Sequence, residues 1–353
     1  MNHQNILFSN NVGEEISKVL SQLSYNKAVI IMDVNTYQFV FPILAENEDI
    51  LKAEKIIIKA GDINKNLSSL SDVWKQLDNC GATRKSVIIN LGGGVVTDLG
   101  GFAASTFKRG VRFINVPTTL LSAVDAAVGG KTGINFNGLK NEIGAFSEAD
   151  IVILSTVFFK TLPLEEIKSG YAEMLKHGLL STENQYKKLI SYDFSAEDYH
   201  TLLDLLKDSV EVKEHIVKED PLEKGIRRAL NLGHTAGHAF ESLALERMSP
   251  IPHGYAVAWG LVVELILSHT QLKFDSKILS QLANYVYANY GAFNISCEDY
   301  PKLLALMRHD KKSENGEINF SLLRSIGDIA INQIVDEKEV EAAFDIYRDY
   351  MHI

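Results

Sequence analysis

The first part of the chain alternates strand-like and helix-like stretches, and this alternation constrains its fold more than any other feature. Runs rich in isoleucine and valine predict strands at residues 28–32, 55–59, 86–91, 111–116 and 151–154. Helical patterns at 67–80 and 95–107 lie between consecutive runs. Strand–helix–strand order implies crossover connections, which join parallel strands. The first part is therefore expected to be a Rossmann-like α/β domain with a mostly parallel sheet.

The second part of the chain has a mainly helical pattern. Helices are predicted at residues 165–180, 196–218, 229–244, 255–272, 276–290, 300–308 and 337–351, with a short β pair at 317–323 and 329–334. A chain of 353 residues is long for a single hydrophobic core. We expect an α/β nucleotide-binding domain at 1–163 and a largely α-helical domain at 164–353.

Charge and composition exclude several classes of protein. The net charge of −10 argues against a nucleic-acid or anionic-membrane surface. The longest apolar run, at 257–267, is interrupted by Glu264 and is too short to span a bilayer, so it predicts a buried helix. Cys80 and Cys297 lie far apart and the N-terminus does not resemble a signal peptide, which suits the cytoplasm. We expect neither nucleic acid nor membrane as a partner.

Glycines cluster where a dinucleotide could approach the backbone. Eleven of the 24 glycines lie between Gly92 and Gly144, and three of them join a predicted strand to a predicted helix. Such a junction offers free N–H groups and a positive helix end to a phosphate, although the usual GxGxxG fingerprint is absent. For any one glycine, turn formation is the better explanation. The cluster as a whole, with Asp33 and Asn35 after the first strand, favours a pyrophosphate and a ribose.

Several cationic side chains accompany these glycines. Lys131 lies between two glycine-containing turns, Lys140 and Asn141 follow it, and Arg109 precedes it. Lysines in glycine-rich loops suit phosphate or carboxylate groups. Solvated surface lysines are the alternative, which Lys131 fits poorly because apolar and glycine residues flank it.

Three histidines in the helical part indicate metal chemistry. His234 and His238 are four residues apart, which places both on one helix face. His253 follows just before a long apolar helix, and Glu173 could add an oxygen ligand. Thr235 replaces the glutamate of HExxH, which excludes a zincin metalloprotease. Taken alone, two helical histidines fit a core or a surface equally well, and Glu173 with Lys176 fits an ordinary ion pair.

These motifs in combination resemble the 3-dehydroquinate synthase family, from Asp33 to about Leu323. The resemblance rests on GGGVVTDLGGFAAS, PTTLLSAVD, GGKTGIN, KNEIGAF, YAEMLKHG, EKGIRRALNLGHTAGHAFE, HGYAVAWG and DKK, in this order. It implies a dehydroquinate synthase-like fold, bound NAD⁺, one divalent metal (usually zinc, with cobalt as an alternative) and a homodimer. It also implies a carbon–oxygen lyase of aromatic amino acid biosynthesis.

The resemblance further implies a substrate and a reaction. The substrate is 3-deoxy-D-arabino-heptulosonate 7-phosphate, which is converted to 3-dehydroquinate and phosphate in the shikimate pathway. A hydroxyl is transiently oxidised by NAD⁺, phosphate is eliminated, the ketone is reduced, the ring opens and an intramolecular aldol step closes the carbocycle. Because the hydride returns to the substrate, the reaction has no net redox change.

The resemblance assigns site residues by motif. The metal ligands would be Glu173, His234 and His253. The NAD⁺ site would comprise Asp33, Asn35, Asp62, Lys65, Gly93, Gly94, Val95, Asp98, Thr118, Thr119, Lys140, Thr161 and Leu162. Substrate would contact Arg109 (from the partner subunit), Asp125, Lys131, Asn141, Lys176, Lys213, Arg227, Asn231, His238 and Lys311. Catalytic roles would fall to Glu223, His238, Lys131 and Asn231, with Glu223 and His238 in acid–base chemistry.

Three positions depart from the family pattern. Asp62 stands where glutamate is frequent and Leu139 where glycine is frequent, and both bear on NAD⁺ affinity rather than on the type of reaction. Tyr255 stands where an acidic residue is common, which nothing in the sequence explains. The rival interpretations are another sugar-phosphate cyclase, a metal-dependent polyol dehydrogenase of the same fold, and a non-catalytic NAD⁺-binding protein. Lys213 and Arg227 favour a substrate with a carboxylate.

Overall fold

The computed structural model describes residues 4–308 and 317–353. The chain forms two compact units. The first unit comprises Met1–Pro163 and Asp198–Val210, and the second comprises Leu164–Glu197 and Glu211–Ile353.

The first unit is built on a parallel sheet. Its strands are β1 (Asn5–Phe8), β2 (Ala28–Asp33), β3 (Glu54–Ile58), β4 (Val87–Gly92), β5 (Arg112–Pro117), β6 (Lys131–Phe136), β7 (Leu139–Phe146) and β8 (Ile151–Leu154). Six of them form one sheet in the order β1-β8-β5-β4-β2-β3, and every described pairing in it is parallel. All residues of β2 and β4 are buried, as expected for central strands covered on both faces. The predicted parallel α/β sheet is confirmed.

Helices connect these strands. They are α1 (Val12–Gln22), α2 (Val34–Phe39), α3 (Phe41–Leu44), α4 (Glu48–Lys52), α5 (Leu67–Asn79) and α6 (Gly94–Thr106). In α5 the buried residues Leu70, Val73 and Leu77 recur at the spacing of one helix face. Helix α6 follows β4 directly, so its first turn lies at the carboxyl end of a central strand.

The lysine-bearing glycine-rich segment is a hairpin, and the prediction of loops there was wrong. Strands β6 and β7 pair antiparallel, with Gly133 opposite Gly144, and Lys131 opens β6. A Cβ on Gly133 would lie 2.7 Å from the carbonyl oxygen of Ile143. Glycine is required for this close approach of the strands, and the same glycines hide the alternating pattern of a strand. Strand β1 was also missed.

The second unit is mainly helical, as predicted. Its elements are α7 (Leu164–Leu179), α8 (Glu183–Ile190), the second part of α9 (Tyr199–Glu219), α10 (His234–Glu246), α11 (His253–Leu272), α12 (Ser276–Tyr290), α13 (Tyr300–Arg308), the antiparallel pair β9 (Asn319–Ser325) and β10 (Asp328–Ile334), and α14 (Glu337–Met351). The helices predicted at 276–290, 300–308 and 337–351 have the predicted bounds.

Helix α11 is the core of the second unit, and fourteen of its fifteen residues from Gly254 to Ser268 are buried. It is the one described helix that is long and apolar enough to cross a membrane, and 72% of its most apolar window is buried within the protein. Glu264, which interrupts the apolar run, is fully buried. Tyr255 packs its ring against Trp259 and Tyr290, which accounts for an aromatic residue at this position.

Helix α10 begins later than the predicted helix at 229–244. Residues Ile226–Asn231 form a 3₁₀ helix, and α10 starts only at His234. Gly233 separates the two with φ +80°, in the left-handed region where glycine has no steric penalty. His234 is therefore the first residue of a new helix and does not lie inside a continuous one.

Candidate active-site residues

A buried cluster in the second unit joins the first residues of two helices to the middle of a third. Glu173 lies in α7, His234 begins α10 and His253 begins α11. The Glu173 Oε1 atom is 3.3 Å from Nε2 of His234 and 3.5 Å from Nε2 of His253. The structure thus brings together the three residues that the resemblance assigns to a metal.

The donor set of this cluster fits a divalent metal. The Glu173 side chain is completely buried, and within the described residues neither of its oxygens makes a hydrogen bond of regular geometry. One carboxylate oxygen and two imidazole nitrogens converge, which is a ligand set that zinc binds. The Lys176 ammonium contacts the other oxygen of Glu173.

Burial and neighbouring charges shift the pKa values of the three residues of this cluster differently. Burial opposes ionisation of Glu173, but Lys176 and His234 outweigh it and hold the pKa of this carboxyl well below its usual range. Burial lowers the pKa of His234 to about 4, against the attraction of Glu173. Burial also disfavours the charged form of His253, yet the nearby carboxylates of Glu173 and Glu241 raise its pKa to about 9. His234 is therefore neutral near pH 7, which is the form that binds a metal.

Outer partners orient both histidines. Nδ1 of His253 is 3.1 Å from a carboxylate oxygen of Glu241, and Nδ1 of His234 is 3.1 Å from the carbonyl oxygen of Leu232. Each bond leaves Nε2 directed at Glu173, as in metal sites where a ligating imidazole donates its other N–H. The sequence analysis missed Glu241, although it closes the motif that carries His234.

His238 also lies in this cluster. Its ring centroid is 5.3 Å from that of His234 and 5.9 Å from that of His253. Ligand atoms of the three histidines fall within 4.8 Å of one another. The geometry therefore offers two donor sets that share His234 and His253, with either Glu173 or His238 as the third member. We favour Glu173, because its buried carboxylate faces both Nε2 atoms.

A loop organised by Asp220 carries two further assigned residues. The Asp220 carboxylate accepts the backbone N–H groups of Lys224, Gly225 and Arg227, at 3.0, 2.6 and 3.1 Å. This wrapping sets the turn in which Glu223 adopts φ +58°, just before the 3₁₀ segment Ile226–Asn231 in which Arg227 is buried. Sequence reasoning missed Asp220, whose aspartate-to-glycine spacing is the only signal of the turn.

The remaining assigned residues of the second unit are Lys176 and Lys213, both buried, and Asn231, which is partly buried. Lys311 lies outside the described residues.

In the first unit, strand ends carry the residues assigned to NAD⁺. Asp33 ends β2 and caps α2, accepting the N–H of Thr36 at 2.7 Å. Gly93 caps α6 without a side-chain hydrogen bond, so the first N–H groups of that helix, from Gly94 and Val95 onward, can face an anion. A Cβ on Gly93 would lie 3.1 Å from Cγ2 of Thr119.

A buried lysine links several of these residues. Lys65 donates from Nζ to Asp98 at 2.9 Å and to Oδ1 of Asn141 at 2.6 Å, and lies 3.6 Å from Asp62. Burial raises the pKa of Asp98, which Lys65 opposes. The structure thereby connects residues assigned to NAD⁺ with Asn141, which is assigned to substrate. We refer to Asp62, Lys65, Asp98 and Asn141 as the Lys65 network.

Asn135, which the sequence analysis missed, holds this network in place. Its Nδ2 donates to the backbone oxygen and the carboxylate of Asp62, at 3.1 and 3.0 Å. Its Oδ1 accepts the N–H of Asn141 at 3.0 Å. Asn135 lies in β6, where a loop had been predicted, so its contact with Asn141 in β7 was not visible in the sequence.

The other assigned residues of the first unit are more dispersed. Thr118 is buried and donates its N–H to Gly92. Thr161 and Leu162 bond back to Phe158 and Phe159 within their own 3₁₀ turn. The exposed or partly exposed residues are Asn35 in α2, Arg109 after α6, Asp125 in a π-helical turn, Lys131 in β6 and Lys140 in β7.

Comparisons with known proteins show the family of this chain. The family models for the N-terminal and C-terminal parts of 3-dehydroquinate synthase match residues 55–169 and 170–313. A 3-dehydroquinate synthase from Parabacteroides distasonis is 49% identical over 349 residues, covering 99% of both chains. That of Pyrococcus furiosus is 40% identical over 328 residues, covering 93% of this chain and 94% of the other.

A solved structure shares the fold. The 2-epi-5-epi-valiolone synthase from Streptomyces hygroscopicus, with NAD⁺ and Zn²⁺ bound, superposes with a TM-score of 0.86 at 22% identity, covering 99% of this chain and 98% of that one. This likeness covers nearly the whole chain and agrees with the predicted dehydroquinate synthase-like fold. Because the family models match both parts of the chain and the relatives are up to 49% identical, the chain belongs to the 3-dehydroquinate synthase family.

Proposed function

We propose that this protein converts 3-deoxy-D-arabino-heptulosonate 7-phosphate to 3-dehydroquinate and phosphate, as a carbon–oxygen lyase of the shikimate pathway. The observation that carries the proposal is the 49% identity to a 3-dehydroquinate synthase over 99% of the chain. The convergence of Glu173, His234 and His253 supports it independently, since this reaction needs an activated hydroxyl.

Residues of both units would hold the two cofactors. Glu173, His234 and His253 would hold a divalent ion, Zn²⁺ or Co²⁺, which when bound lowers the pKa of a substrate hydroxyl and polarises the ketone. The ends of β2 and β4 with the Lys65 network would hold NAD⁺, which when bound accepts and returns one hydride. The uncapped start of α6 suits its pyrophosphate.

The cationic residues of the chain would bind the acidic substrate. Lys213 and Arg227 are buried and occupy positions that the family resemblance assigns to the substrate. We assign them to the substrate carboxylate, with Lys131, Lys176, Asn141, Asn231 and Lys311 contributing further polar contacts and Arg109 reaching in from a partner subunit. These contacts orient the C–H bond that loses its proton next to the ketone, so that phosphate leaves by elimination.

Proton transfer would involve Glu223 and His238. His238 lies beside the two histidine ligands, within reach of a hydroxyl held there. Glu223 lies on the loop that Asp220 organises. The leaving phosphate is itself a base near neutral pH and could receive the proton, which makes these two residues supporting rather than obligatory acids and bases.

We further propose a cytoplasmic homodimer. Strand β7 exposes most of its length, and Phe136, Leu139 and Phe146 present apolar side chains to solvent on this hairpin. Exposed apolar strands are commonly covered by another chain. Light scattering of the purified protein tests the dimer, and mixing of two inactive variants, one carrying Arg109→Ala, tests whether a partner supplies this arginine.

The proposed function is tested by phosphate release from the heptulosonate phosphate with catalytic NAD⁺ and Zn²⁺, while NADH absorbance is followed. We expect phosphate and 3-dehydroquinate in equal amounts without accumulation of NADH. Phosphate released only from another ketose or hexose phosphate would replace the substrate and keep the cyclase mechanism. Steady formation of NADH would instead identify a dehydrogenase, and binding of NAD⁺ without turnover a non-catalytic protein.

A further inference from the structure

Glu264 is a buried carboxylate in the middle of the otherwise apolar helix α11. Its two oxygens accept backbone N–H groups from the start of α10, at 2.6 Å from Gly233 and 3.2 Å from Ala236. Helix α10 carries both His234 and His238. The carboxylate therefore contacts the same helix turn that presents the first of these histidines.

Glu264 replaces the capping side chain that α10 lacks. The residue before this helix is Gly233, which has no side chain to accept the unpaired N–H groups of the first turn. A buried N–H group without an acceptor is destabilising. A carboxylate at this place satisfies two such groups and interacts favourably with the positive end of the helix dipole.

Close packing of α10 on α11 makes this contact geometrically possible. Gly260 lies one helical turn before Glu264, and a Cβ at this position would be 2.0 Å from the carbonyl oxygen of Gly233. Gly237 is equally constrained, since a Cβ there would lie 2.9 Å from the carbonyl oxygen of Ala256. Gly260 and Glu264 thus share the face of α11 that fixes the first turn of α10.

A single peptide group connects Glu264 to His234. The N–H of Gly233 donates to Glu264, and the carbonyl of Leu232, which belongs to the same peptide, accepts from Nδ1 of His234 at 3.1 Å. Because the peptide is planar, holding its N–H also sets the direction of its carbonyl. That carbonyl in turn keeps the proton on Nδ1 and leaves the Nε2 lone pair facing Glu173.

We propose that Glu264 is a positioning residue for the metal centre, which fixes the Leu232–Gly233 peptide and through it the orientation and tautomer of His234. The inference rests on the proposed metal-binding role of His234. It assigns a function to the one charge that interrupts the apolar run of α11.

The test compares Zn²⁺ affinities of the stripped protein by competition with a chromophoric chelator. The variants are Glu264→Gln, which keeps the side-chain shape but loses one acceptor, and Glu264→Ala. Leu265→Ala is the matched control, because it opens a cavity in the same helix at a fully buried position that makes no such bond. Urea unfolding of each variant reports stability separately.

We expect Glu264→Gln to bind Zn²⁺ about 10–100-fold more weakly, the range for partners of metal ligands, while Leu265→Ala lowers the unfolding midpoint and keeps the wild-type affinity. Wild-type affinity in the folded Glu264→Gln protein would overturn the proposal. So would an equal loss of affinity in Leu265→Ala, since Glu264 would then act through stability alone. If the protein has no synthase activity, this comparison remains valid, because it measures metal binding and not turnover.

Discussion

The candidate sites of the two units balance their charges in opposite ways. In the Lys65 network of the first unit, a buried ammonium is surrounded by Asp98, Asp62 and the amide of Asn141, so opposite charges meet within the chain. In the second unit, Lys176 contacts one oxygen of Glu173, and the other oxygen faces Nε2 of His234 and of His253. The first site is electrostatically complete without a ligand, whereas the second is completed by a proton or a metal ion.

The two sites also differ in how the backbone presents them. The first unit uses strand ends, a 3₁₀ turn and a hairpin, tied together by the side chain of Asn135. The second uses the first residues of α10 and α11 and the interior of α7, and packs α10 against α11 through Gly233 and Gly260. Substitutions should therefore affect stability most in the Lys65 network and ligand affinity most in the histidine cluster.

The largest expected effect is that of His234→Ala. Loss of one of the three proposed metal ligands should reduce metal binding and activity by more than about 100-fold, which exceeds the usual effect of removing a ligand's partner. Binding of NAD⁺ should persist, because the residues assigned to it lie in the first unit. Metal content by mass spectrometry and NAD⁺ affinity by calorimetry measure the two effects.

His200→Ala is the control for this variant, because His200 is exposed and its ion pair to Asp204 lies on the surface. In the metal-free protein, His234→Ala should lower the unfolding midpoint less than Lys65→Met does, since Glu173 keeps its partner Lys176. Normal metal content in His234→Ala would refute the ligand assignment. A large loss of stability in His234→Ala would contradict the expectation that substitutions in the histidine cluster affect ligand affinity more than stability.

The next effect in size is the destabilisation caused by Lys65→Met. Asp98 would keep a buried carboxylate without its ammonium partner, a change that typically costs about 3–5 kcal/mol. Burial already raises the pKa of Asp98, and loss of Lys65 raises it further. The variant is therefore destabilised at pH values above the pKa of Asp98 in the folded protein. The destabilisation declines as the pH falls and this carboxyl becomes protonated.

Urea unfolding at pH 7.5 and pH 5 measures this penalty, and the double variant Lys65→Met/Asp98→Asn separates charge from packing. We expect the second substitution to restore most of the stability at pH 7.5, because it removes the uncompensated charge. Simple additivity of the two losses would show that Lys65 stabilises the unit by packing its side chain and not by pairing with Asp98.

The fold was largely predictable because its signals are local. Buried strands such as β2 and β4 appear as apolar runs, and helices such as α12 and α14 have clear periodicity and caps. The hairpin of β6 and β7 was missed because glycines interrupt its alternation, and the start of α10 because one left-handed glycine interrupts a helical pattern.

The candidate site was less predictable from local patterns. Motifs marked Glu173, His234 and His253, but their convergence depends on the packing of three helices. Glu264 and Asn135 were not identified, because their partners are up to 31 and 73 residues away in sequence. A lone glutamate in an apolar run and an asparagine in a glycine-rich segment have no local feature that indicates such bonds.

The smallest expected effect is the release of a proton when the histidine cluster binds a metal, which the Lys65 network should not influence. In the metal-free protein His253 has a pKa of about 9 and His234 a pKa of about 4. The stability that His253 gains from protonation is therefore full below pH 6.5 and is lost as the pH rises through about 9.

Metal binding at pH 7.5 should accordingly release about one proton, from His253, because a ligating imidazole must be neutral. Calorimetry in two buffers with different ionisation enthalpies counts this proton. Glu241→Gln removes the partner of Nδ1 and should lower the count, whereas Lys65→Met should leave it unchanged because its network lies in the other unit. A proton count near zero for the wild-type protein would show that His253 does not release a proton on metal binding. A count that changes with Lys65→Met and not with Glu241→Gln would show that the proton comes from the Lys65 network, and the two sites would then not differ in proton release.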